Sequence, residues 1–251
     1  MIAALPMYDR AETAAANDRF WGLIREGLRA RGIDAPDALR RGDADLMAQW
    51  LSPDLVLSQT CGFPYRARLH GQVNLVGTPD YGLDGCPPGH YRSILIARPD
   101  DPRERFEDFD RTPMAYNDGM SQSGWAAAQN QAARAGIRIG AGIQTGSHRA
   151  SFLAVAEGHA ALAAIDAVTF SFLAEFDAAR ERVKVIGATD PTPGLPYICA
   201  RGVDPDAVLA AISEAIPLLP ASDRARLRLK GVLRLPPESY LAVASPAIPA
   251  A

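Results

Sequence analysis

The chain has 251 residues, enough for one large domain or two lobes with separate cores. Hydrophobic residues make up 48 % of it and charged residues 22 %, while 26 basic and 29 acidic side chains leave a net charge of -3. No basic block stands out, which argues against a nucleic-acid or membrane surface, so any anion must be caught at a local site.

In chain order, Ile2 to Leu5 is a short apolar run ending at Pro6 and reads as a first strand. Met7, Tyr8 and Asp9 follow at its C-terminal end, where ligand loops of open α/β sheets gather. This start, MIAALPMYDR, lacks the basic and long apolar regions of a signal peptide, and no apolar run reaches the ~20 residues of a membrane helix. The expectation is a periplasmic protein if a leader has been removed, and a cytoplasmic one otherwise. Phe20, Ile24 and Leu28, with Leu23 beside them, predict a helix over 17–31. The stretch 40–45 is polar, and 46–51 suggests a short helix. Leu55 to Leu57 predicts a buried strand running into Ser58-Gln-Thr-Cys-Gly62, and 73–77 and 93–98 are further strands.

Three cysteines without C-x-x-C spacing argue against a zinc site. Cys61 and Cys86 lie in Gly/Pro-rich loops. Pairing them would close a loop of about 25 residues, worth roughly 3 kcal/mol; spacing alone leaves pairing and free thiols equally open. Cys199 reads as a buried strand residue.

At Arg98 a charged, proline-bearing connection begins, a place for the chain to cross into a second lobe. The strand over 183–187 and the proline-rich stretch 190–196 predict the return. The expected division is lobe I from residues 1–98 and 190–251 and lobe II from 99–189. Beyond it come a strand over 197–201, helices over 206–216 and 222–229, and ASPAIPAA as a tail.

Lobe II carries the chemistry. Pro113 to Trp125 reads PMAYNDGMSQSGW: an apolar strand, an Asn-Asp-Gly turn, then Ser121, Gln122, Ser123 and Gly124 opening a helix. Helix starts present unpaired N–H groups and partial positive charge, and so hold anions. The plainer reading is that one serine caps the helix. Residues 144–158 repeat this design, with His148 at the helix start, where a protonated imidazole has two donors. The run 160–165 ends at Asp166, an acid at a strand end that also suits the N-cap of a helix over 167–176.

These segments resemble the phosphate/phosphite/phosphonate-binding proteins of ABC transporters, the PhnD-like group. NDGMSQSGW is close to that family's D-P-x-S-x-S-G-[YW] signature. GSHRASFLAVAEGHAALAAID is close to its G-S-H-x-x-x-x-x-A-V-x-x-G-x-x-D-[AV]-A-A-[IV]-D pattern, and QTCGFPY, Gly85-Cys86 and YRSILIAR agree in order. The resemblance implies an α/β, two-lobed type 2 periplasmic-binding-protein-like fold with a hinged interlobe cleft. It implies that Ser121, Gln122 and Ser123 grip phosphoryl oxygens, that Gly124 admits the ligand to the backbone, and that His148 donates. Asp166 would accept from a P–OH or an ammonium group, since a carboxylate beside a bare anion is costly. Tyr8 and Tyr91 match cleft tyrosines. A Cys61–Cys86 disulfide, and hence an oxidising compartment, is implied as well. Three departures stand out: Gln122 where a small hydroxyl residue is usual, Gly119 for the turn proline, and His159 and Ala161 in the run that ordinarily carries an acid.

Other classes fit less well. Ser123, His148 and Asp166 are triad residue types, but the chain lacks a nucleophile elbow. Residues 140–146 miss the dinucleotide-binding glycine spacing by one, there is no P-loop, and the four histidines make no metal cluster. The serious alternative is a cytoplasmic enzyme on the same architecture, chorismate-dehydratase-like, acting on a small carboxylate. The expected protein is a monomeric, cofactor-free solute-binding component that takes a phosphonate, phosphite or phosphate and serves an ABC permease, with no nucleic-acid partner.

Overall fold

The computed structural model describes residues 1–42 and 45–249. Residues 43 and 44, inside the polar stretch, and the last two residues of the expected tail lie outside the described residues. The chain folds as two compact units, the first from residues 1–90 and 193–242, the second from 91–192 together with the segment beginning at Val243. The connection at Arg98 lies inside the second unit, just past the strand Ser93–Ala97.

In the first unit, Ile2–Ala4 pairs parallel with Leu55–Gln59, and Tyr197–Ala200 runs antiparallel between Leu55–Gln59 and Val73–Asp80. Gly231–Leu233 closes the far edge. The helix Ala14–Ala30 turns Phe20, Ile24 and Leu28 inward, as their spacing requires, against Val208, Ala211 and Ile212 of the helix Pro205–Leu218. The two helices approach closely because residue 27 is glycine: a Cβ there would lie 3.2 Å from that of Ala211. A second cluster, built on Trp50, Leu55, Tyr65, Ile198 and Tyr240, forms the other part of this core.

In the second unit the strand order is Gly140–Gln144, Pro113–Tyr116, Ala163–Asp166, Ser93–Ala97, Lys184–Ala188. The first three run parallel, and Ser93–Ala97 is antiparallel to both its neighbours. Phe152, Val155, Ile165 and Leu173 pack its core. The strand Gly140–Gln144, which the sequence marks only by a near-miss glycine spacing, is an exposed, glycine-bearing edge without apolar alternation. The C-terminal segment is not a loose tail. The Trp125 indole N–H donates to the Ala247 carbonyl at 2.9 Å, and the Asn130 amide donates to that of Ala244 at 2.9 Å.

Candidate functional site

In the second unit the parallel strands end on one edge of the sheet, and Ser93, at the start of an antiparallel strand, registers with Asp166 there. Ligands of open α/β sheets gather at such an edge. Two loops are pinned beside it: the Tyr116 carbonyl accepts from Thr145 N at 2.8 Å and the Asn117 carbonyl from Gly146 N at 3.0 Å.

The helix that Ser121 to Gly124 open begins with a wider turn than an α-helix has. Gln122–Ala126 is a π-turn, closed by Ala126 N donating to the Ser121 carbonyl at 3.0 Å, and it runs into the α-helix Ala127–Ala135. Single π-turns are uncommon and concentrate at functional sites. Ser121 is the N-cap: its Oγ accepts from Gly124 N at 2.9 Å and keeps its own proton to give away. Ser123 turns the other way and pairs its Oγ with His148 Nε2 at 2.8 Å. Its carbonyl accepts from the Ser93 hydroxyl at 2.8 Å. Ser121, Gln122, Ser123 and Asp166 are buried polar residues.

His148 is the first residue of the helix His148–Ala156, whose N-cap is Ser147. Burial pushes its pKa down to about 4, and the nearby Ala164 carbonyl acts weakly in the opposite sense. The ring is therefore neutral at pH 7. In the neutral ring one nitrogen carries a proton and can donate while the other accepts, whereas a protonated ring would donate from both. Nδ1 is shut off from solvent and makes no well-formed hydrogen bond.

Gly124 is required sterically. A Cβ at that position would lie 1.8 Å from Asn117 Oδ1 and 3.2 Å from His148 Cε1. Asp166 serves as N-cap of the helix Ala167–Phe176, its Oδ1 accepting from Thr169 N at 2.8 Å.

The register and these bonds join Ser123, His148 and, through Ser93, Asp166. Tyr91 is buried at the entry to the same unit. Tyr8 belongs to the first unit, stacked edge-on against Tyr81 at 5.2 Å, and the Tyr81 hydroxyl accepts from Gln59 Nε2 at 3.1 Å. Sequence reasoning passed over Ser93, Asn117, Gln59 and Tyr81. Asn117 had a signal, lying at a strand end within the turn motif, and Gln59 and Ser93 lie in the QTCGFPY and YRSILIAR segments; Tyr81 had none. Cys61 and Cys86 are half-buried in the first unit, and Cys199 is buried in its strand. Among the described residues no group of His, Cys, Asp and Glu could hold a metal, and no helix is long and apolar enough to cross a membrane.

The model of the family described as ABC transporter, phosphonate, periplasmic substrate-binding protein matches residues 54–231. Among solved structures, PhnD1 from Prochlorococcus marinus (MIT 9301) in complex with methylphosphonate superposes with a TM-score of 0.72 at 11 % identity, over 95 % of this chain and 94 % of that one. XAC2383 from Xanthomonas citri bound to chloride ion gives 0.70 at 16 %, over 95 % and 92 %. A binding protein component of an ABC phosphonate transporter from Pseudomonas aeruginosa gives 0.66 at 15 %, over 92 % and 80 %. At such identities the likeness is one of fold, the two-sheet α/β fold of type 2 periplasmic binding proteins. No curated protein sequence matches the chain.

Proposed function

We propose that this chain, which belongs to the phosphonate-binding periplasmic substrate-binding protein family of ABC transporters, binds a small phosphoryl oxyanion and hands it to a membrane permease. One observation carries the reading: a buried, serine-capped π-turn opens a helix beside the Ser123–His148 pair, at the strand-end edge of a sheet. Such a turn offers hydroxyl and backbone donors to an anion without a buried full charge. Ser121, Gln122 and Ser123 supply the grip, Gly124 the close approach, and His148 the orientation of the Ser123 hydroxyl. Asp166 selects a ligand that brings a proton, either P–OH or an ammonium. Tyr8 and Tyr91 are assigned to the ligand by family resemblance. The same resemblance supports a periplasmic location and an oxidised Cys61–Cys86 pair.

A thermal-shift screen against phosphate, phosphite, methylphosphonate, aminoethylphosphonate, sulfate and chorismate tests this directly. Ligand at 100 times Kd adds roughly 2.7 kcal/mol, a rise of several degrees. The expected result is a shift confined to phosphoryl compounds, with the ligand recovered unchanged. A shift with chorismate alone, or conversion of any ligand, sinks the transport reading.

A further inference from the structure

The donor inventory of the proposed anion site is short. The Ser123 hydroxyl is engaged with His148 Nε2, and the Gly124 amide is taken by Ser121 Oγ. A phosphoryl group presents three oxygens with several lone pairs, enough to accept from a further side-chain donor beside Ser121, Gln122 and Ser123.

Asn117 lies directly beside this site and has not been assigned a part in it. Its backbone carbonyl is fixed by Gly146 N at 3.0 Å. Its side-chain Oδ1 is shut off from solvent and has no hydrogen-bond partner, although the residue as a whole is only half-buried. Oδ1 rests against the face of residue 124 where a Cβ would lie 1.8 Å away, with His148 Cε1 3.2 Å from that same point. The Gly124 Cα that Oδ1 rests against carries polarised C–H bonds, which tolerate a carbonyl oxygen. Turning the amide over would press an NH2 group with two unmet donors into the same dry spot, which costs more. The oxygen is thus the inward end and Nδ2 the outward one.

We infer that Asn117 is a further ligand-binding residue: its Nδ2 amino group donates to the oxyanion held at the Ser121–Ser123 turn, in an orientation set by the glycine at 124. This rests on the anion-binding reading and deepens it. A neutral amide donor adds a hydrogen bond to a phosphoryl oxygen without adding a buried charge, so it favours an oxygen that is a bare acceptor at that point. Asp166 and Asn117 would then divide the ligand, the acid taking its proton-bearing side and the amide a deprotonated oxygen.

The test is calorimetric titration of wild type, Asn117→Ala and Asn117→Asp with whichever phosphoryl compound the screen ranks first. The donor role predicts about tenfold or greater weakening for the alanine variant, the range for a hydrogen bond to a charged group. It predicts still weaker binding for the aspartate variant, which keeps the shape and the inward oxygen but sets a carboxylate against the anion. A merely structural Asn117 predicts the reverse order, aspartate close to wild type and alanine worse. A second readout needs no variant to fold in quantity: the Asn117 side-chain amide resonances of labelled wild-type protein should move on saturation. Unmoved resonances, or an alanine variant within twofold of wild type, overturn the inference and leave the anion site standing. Failure of wild type to bind any phosphoryl compound overturns both.

Discussion

At the residue scale, His148 shows how burial turns a familiar side chain to a different use. An ordinary imidazole near pKa 6.5 is half-charged close to neutrality, whereas this one, held near 4, is a neutral partner to Ser123. The folded value lies below the unfolded one, so between them the unfolded chain carries a proton that the folded chain refuses. The stability from the neutral ring is fully present above pH 6.5 and is lost as pH falls toward 4. Urea unfolding of wild type and His148→Gln at pH 7.5 and 4.5 should show the wild type losing about 2 kcal/mol more than the variant, allowing for the part-exposure of the ring. Equal losses would mean that the ring titrates normally. Gly124 makes a second point. Gly124→Ala drives a methyl group into Asn117 Oδ1, and a cost of about 1–3 kcal/mol in thermal or denaturant unfolding is expected, with weaker anion binding. The glycine itself was legible in the S-x-S-G motif, but its partner was not, because residue 117 meets residue 124 only once the turn is folded.

At the scale of elements, the chain's punctuation was readable where its physics is local. The strand Pro113–Tyr116, the helix His148–Ala156 and the capped start of Ala167–Phe176 follow from apolar runs and N-cap residues. The π-turn did not follow, since its extra residue per turn leaves no mark in hydrophobic spacing. Nor did the docked C-terminal segment. A proline-broken string of small residues carries no period, and its place is set by single hydrogen bonds to Trp125 and Asn130. That docking also explains Gly119, which stands where the family signature has proline: a Cβ there would come within 3.0 Å of Ile248 and Pro249. Gly119→Ala should therefore destabilise the full chain yet be neutral in a chain ending at Ala242, a coupling that a double-mutant cycle reads directly. The truncation should also red-shift emission from Trp125 alone, because Trp21 and Trp50 are buried in the first unit. An unchanged spectrum would refute the docking.

At the scale of the whole molecule, the first unit builds its sheet from strands at both ends of the chain, whereas the second builds its sheet within residues 93–188 and takes in the segment after Ala242 outside that sheet. Each has its own apolar clusters. Cys61 and Cys86 offer a check on the compartment. Protein recovered from an oxidising compartment, unfolded and alkylated without reductant, should label only Cys199. Three labels by intact mass would exclude the disulfide. Reduction should then lower stability by about 3 kcal/mol if the loop closes without strain.

Sequence alone determined the α/β alternation, the family signature and the positions of Ser121, Ser123, His148 and Asp166 at element ends. Those features depend on turn chemistry, capping and periodicity, which act over a few neighbouring residues. Tertiary structure decided that Ser123 faces His148, that Ser93 ties Ser123 to the strand bearing Asp166, and that the imidazole is neutral. It also decided that Asn117 turns its oxygen into a dry corner. Each of these outcomes depends on strand register and burial, which are set by residues distant along the chain and therefore leave no trace in local pattern.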